Sequence, residues 1–311
     1  MFPQKRKKKK NAKRKSRRRS NLRYQTLERR QLLAVTAGLS GTDFSLTGNF
    51  GSDDVIVSVN SANELQWSQD GGATYTTDLD DGLAGTQTFV MSPAGTTPPI
   101  PINVTIDLGS GNDRLRLDLE GHSGWQDVTV VDAGDADVDS VRVVSDLDLL
   151  TTGGELNIQA EIATVAPNAI VAAPGGITVT GTGRDALIRI GTNAILSTRT
   201  ILPGGDHYLD PSLADSTSIE LTSSTIEVDD DAKLLAHVES GSAFASGDIT
   251  LDVSEDLPTS FEFYDLLNDI ATGTVVWTDA INLFNQEATA TIEIGAADLL
   301  GSSIHLNARA D

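Results

Sequence analysis

Apolar and polar residues alternate one for one in short bursts along most of the chain: DVIVSV from residue 54, then NVTIDL, RLRLDL, VRVVS, GGITVTG, LIRI, TIEV and TIEI. A period of two puts one set of side chains on a buried face and the other in water, so each burst predicts a β-strand. Gly, Asn, Asp and Ser between the bursts predict turns, with Asp70-Gly71-Gly72 as a hairpin turn. In the second half the bursts join into a phrase that recurs four times: VAPNAIV (Val165 to Val171), IGTNAIL (Ile190 to Leu196), VDDDAKLL (Val228 to Leu235) and IGAADLL (Ile294 to Leu300), at offsets of 25, 38 and 66. Repeats of this length predict a solenoid, because one unit cannot bury its apolar face alone and must stack on the next. LIRIGTNAIL aligns with TIEIGAADLL without a gap, and TIEVDDDAKLL needs one extra residue.

One stretch breaks the alternation. Thr259-Ser260-Phe261-Glu262 reads as a capping box, and Phe263, Leu266, Leu267 and Ile270 follow at helical spacing, so Ser260 to Ala271 is expected as a short helix or looped insertion.

Composition agrees with an all-β class: helix formers are scarce, and Gly, Thr, Ser, Asp, Val and Ile abound. The net charge of −21 conceals a division. Fifteen of the 23 Lys and Arg lie in the first 30 residues, and the remainder sets eight bases against 43 acids, a net −35. Such a body repels nucleic acid and attracts divalent cations. The absence of cysteine removes disulfides, thiolate metal sites and a cysteine nucleophile. The best apolar stretch, near Ile162 to Ala173, is cut by proline, so no transmembrane helix is expected.

At the N-terminus a basic tract, KRKKKKNAKRKSRRR, precedes a short apolar stretch, Leu32 to Leu39, which is the order of an export signal. A polyanion-binding tail is the other reading of the tract. LERRQLLA, Leu27 to Ala34, resembles the LEPR-x-LLA-type motif near the N-termini of many large planctomycete cell-surface and extracellular proteins, departing from it at Arg29, where that family has Pro. The resemblance implies export.

Three places carry a G-x-D-x-apolar pattern or its relic: GSDDV, GNDRL and DVDSV. DLGSGNDRLRLDL, from Asp107, resembles the nonapeptide calcium repeat of RTX proteins, although Leu108 replaces the first Gly and no tandem copy follows. That resemblance makes Asp53, Asp113 and Asp139 the candidate calcium ligands, and calcium the one cofactor in view. SGDITLDV, GGITVTG and SSIHLNARAD resemble filamentous-haemagglutinin-like and other secreted β-helix repeats. This likeness implies a right-handed parallel β-helix with Ile177, Val179, Ile188, Ile190, Ile226, Val228, Ile249, Leu251, Ile292 and Ile294 pointing inward.

The expected organisation is a targeting segment over 1–41, a β-rich segment with RTX-like turns over 42–150, and a β-helix repeat body over 151–311. The chain stops at NARAD inside a repeat phrase, which suggests a fragment or a covering partner. Asp229-Asp230-Asp231 reads as a solvated corner, His207 with Asp206 and Asp210 as a surface loop, and no catalytic residue is assigned. The expected function is that of an exported cell-surface or extracellular structural protein of adhesion type, with cell-surface or matrix partners including polysaccharide. A carbohydrate-active β-helix enzyme and a calcium-responsive surface module are the alternatives.

Overall fold

The computed structural model describes residues 35–93, 101–119, 122–131, 138–149, 153–183, 185–198, 217–236, 247–255, 291–300 and 303–310. The basic tract, LERRQLLA, the expected helix at Ser260 to Ala271 and His207 lie outside them. Among the described residues the chain is all-β with no helix, as the alternation predicts. Its strands form a nine-stranded, an eight-stranded and a five-stranded sheet, largely parallel, with one further two-stranded pair, an arrangement consistent with a β-solenoid.

From Trp125–Val131 onward, consecutive strands take the three sheets in turn. Glu155–Ala160 lies in the first sheet, Ile162–Val165 in the second and Ile170–Ala172 in the third; Gly176–Gly181 then returns to pair in parallel with Glu155–Ala160. Inward positions consequently stack on their equivalents. In the second sheet one row runs Val57, Leu117, Val143, Val165, Ile190, Val228 and Ile294, each in register with the next. In the first, Phe44, Val104, Val128, Leu156, Ile177, Ile219 and Ile249 do the same. Burying each such side chain contributes about 1.5–3 kcal/mol. Of the ten residues expected to point inward, eight are buried and Ile292 and Ile294 are partly buried against the same core.

All four phrases stack at one corner, between the second and third sheets. Val165, Ile190, Val228 and Ile294 are in register before it, and Val171, Leu196, Leu234 and Leu299 after it. The offsets of 25, 38 and 66 are thus spacings between stacked residues, and the added length falls outside the corner.

The gapless alignment of the fourth phrase is corrected. Ile195, Lys233 and Asp298 share a register, so the second and third copies match residue for residue and the fourth is one shorter. The residue it lacks is the third after the strand, which in the other copies is Asn168, Asn193 or Asp231, at φ of 64°, 58° and 61°. Asn and Asp are the non-glycine residues that best tolerate this left-handed conformation. A fifth copy of the corner, from Val143 to Leu147, was not seen in the sequence; it is two residues shorter than the first three copies and one shorter than the fourth.

Two expected boundaries differ from the structure. Strand Thr36–Ser40, placed in the targeting segment, pairs antiparallel with Asp43–Thr47, and Val35 and Ala37 are buried in the common core. The second half of the apolar stretch Leu32 to Leu39 therefore belongs to the fold. Residue 150 marks no division either, since parallel pairing runs through it in all three sheets. At the low-numbered edge of the second sheet, Leu65–Ser68 pairs antiparallel with Asp54–Val59, and Asp70-Gly71-Gly72 turns the chain back so that Trp67 and Thr76 exchange backbone hydrogen bonds.

Candidate functional site

The second sheet carries the chemistry, at the corner before its strands and on its outer face. Asp53, Asp113 and Asp139 immediately precede Asp54–Val59, Arg114–Asp118 and Ser140–Val143, whose register stacks them on successive circuits. All three are buried. The Asp53 amide donates to Asp113 Oδ1 at 2.6 Å, the Asp113 amide to Asp139 Oδ1 at 2.6 Å, and the Asp139 amide to Glu161 Oε2 at 2.8 Å. The result is a ladder in which each carboxylate caps the backbone of the circuit before it.

One glycine of the pattern has a matching cause. Gly111 has φ 132°, and a Cβ there would lie 2.8 Å from the Gly51 carbonyl. Circuits touch at that point, and only glycine leaves room.

The three Asp residues that the pattern singled out do come together, Asp113 and Asp139 through carboxylates that accept amides and Asp53 through its own amide. Calcium takes six to eight oxygens at about 2.3–2.6 Å. Among the described residues no three His, Asp or Glu side chains are grouped to hold a metal ion, and one oxygen each of Asp113, Asp139 and Glu161 already accepts an N–H. Glu161 was missed because its AEIATV context lacks the G-x-D pattern.

Asp53 ends the ladder, with both carboxyl oxygens buried and outside hydrogen-bond geometry. Burial raises its pKa above the usual carboxylate range, partly offset by the Asn49 amide nearby. Asp148, in the third sheet, has a buried Oδ1 with no hydrogen-bond partner, and burial raises its pKa to about 6.

On the outer face of the second sheet, Arg116, Arg142, Thr164, Arg189, Glu227 and Glu293 form one row in register. Arg116 Nη2 bonds the Gly71 carbonyl at 3.0 Å and Asp54 at 3.3 Å. Arg189 meets Asp229 at 3.2 Å and Glu227 at 3.6 Å. The three consecutive acids at the corner diverge as expected: Asp229 turns to Arg189, Asp230 accepts from the Ala296 amide at 2.9 Å, and Asp231 takes the left-handed position. Beside the ladder, Ser52, Asp53, Asp54, Asn112, Arg114, Val138, Ser140 and Ile162 line an open groove of about 570 Å³.

Together these features define a class: an all-β protein of stacked, largely parallel strands in which buried carboxylates join successive circuits. The chain matches no protein-family model, no curated protein and no solved structure. Among the described residues no helix is long and apolar enough to cross a membrane.

Proposed function

We propose that the chain is a stacking module of an exported, cell-surface or extracellular structural protein of adhesion or matrix type, wound as a right-handed parallel β-helix. The single observation that carries this reading is the register. Corner phrases and inward rows repeat across successive circuits while the sequence between them varies in length, which is how a wall is built that can be long and display loops. Right-handedness follows the rule for crossovers between parallel strands of one sheet. Export is supported by the order of basic tract, LERRQLLA and apolar residues, with the targeting part ending before Val35, where the core begins.

Fusing residues 1–34 to a reporter and fractionating the cells tests it. Reporter outside the cytoplasm or at the surface is the expected result, and reporter held on the nucleoid would replace it with the polyanion-binding tail.

A further inference from the structure

Half of the eight basic residues after residue 30, namely Arg114, Arg116, Arg142 and Arg189, lie on one outer sheet face of a body that carries 43 acids. Alternation puts them there: RLRL, VRV and IRI each point an Arg outward between buried neighbours. Arg142 stands directly opposite Arg116, with Arg114 two residues along. Like charges directly opposite one another on a sheet destabilise it. Asp54 offsets only Arg116, while Arg114 and Arg142 are exposed and have neither ion pair nor hydrogen bond to any described residue. Stacking does not require this arrangement, since Thr164 occupies the same row.

We propose that this face binds a carboxylate-bearing polysaccharide, with Arg114 and Arg142 as the principal contacts. The choice of a polysaccharide rests on the cell-surface reading above, and two observations support it. Guanidinium groups form paired, charge-assisted hydrogen bonds to carboxylates, and Asn112 and Ser140 beside Arg114 offer polar atoms to sugar hydroxyls in the open groove. Charge density disfavours nucleic acid. The strip from Arg114 to Arg189 crosses three strand spacings, about 14 Å, over which duplex DNA would bring about eight phosphates. Only two arginines without an ion pair among the described residues would meet them, amid a net −35.

The test uses the full chain and reads the face itself, because the basic tract at residues 5–19 attracts any polyanion. Arginines are modified with phenylglyoxal and the rates at Arg114 and Arg142 followed by mass spectrometry, with polygalacturonate, dextran, duplex DNA or sodium chloride at matched ionic strength. Polygalacturonate is expected to slow both sites while dextran, DNA and salt do not. Arg142→Gln is expected to raise the polymer concentration that half-protects Arg114 about tenfold, the loss of one charge-assisted hydrogen bond. Lys233→Gln, in the third sheet, should leave it unchanged. Rates indifferent to polygalacturonate overturn the proposal, as does equal protection by DNA. Protection that grows with protein concentration alone also overturns it and assigns the face to the acidic surface of a second copy. Protection at the face together with a reporter that stays in the cytoplasm removes the cell-surface reading and leaves the binding; export without protection does the reverse.

Discussion

Asp113 shows what one side chain does in this fold: its carboxylate accepts the buried amide of a residue sixty positions earlier. Asp113→Ala leaves that N–H unmet and is expected to cost about 2 kcal/mol, whereas Asp113→Asn keeps an acceptor oxygen and should cost less; urea unfolding of both variants measures the difference. Calcium will bind an acidic body to some extent, and any shift it causes should be the same in wild type and Asp113→Asn if the residue is a cap. Asp148 gives the pH dependence. Its folded pKa of about 6 lies above the unfolded value of 3.8, so the folded state holds the proton more tightly. The stabilising effect is complete below the unfolded pKa and is lost as pH rises through 6, by at most about 3 kcal/mol. Asp148→Asn is therefore expected to raise Tm at pH 8 and to change it little at pH 4. The equivalence of Asp53, Asp113 and Asp139 was legible because the same turn recurs. Their role was not, because a capping carboxylate and a ligating one share the same local pattern and differ only in what a distant circuit brings to them.

At the scale of the element, the corner is the unit that repeats. Asn193 sits at φ 58° with its Nδ2 3.3 Å from Asn168 Oδ1 on the neighbouring circuit. Asn193→Ala should destabilise by about 1–2 kcal/mol through the left-handed backbone, and Asn193→Gly by less, as thermal melting would show. The sequence revealed four corners because Ala and apolar residues close each one: NAIV, NAIL, DAKLL and ADLL. It misaligned the fourth because ADLL offers two leucines, either of which can stand at the inward position, and only pairing of Leu299 with Leu234 decides between them. The Val143 corner escaped notice since its two missing residues remove the phrase while leaving the strands on either side. The arginine face was in principle legible from RLRL, VRV and IRI, but which strands are neighbours is a long-range fact.

Across the whole molecule, the divided charge sets the balance. A body of net −35 repels itself, so sodium chloride should raise its Tm progressively as the screening length shortens from about 30 Å at 0.01 M to 10 Å at 0.1 M; a Tm independent of salt would mean that the acids are already neutralised. The all-β class and the stacking were readable from alternation and repetition alone. The extent of the stack was not: the early strands are separated from their partners by up to sixty residues, and nothing local marks Thr36–Ser40 as a strand of the wall.

The carboxylate ladder also has a direction in time. Every acceptor in it lies later in the chain than the amide it serves: residue 113 serves 53, residue 139 serves 113, and residue 161 serves 139. A polypeptide delivered from its N-terminus, at a ribosome or through an export pore, can thus cap each of these three amides only after the following circuit has emerged. Until then the newest of these circuits holds one N–H that its successor must meet, and its edge stays receptive to the chain's own next turn until that turn arrives.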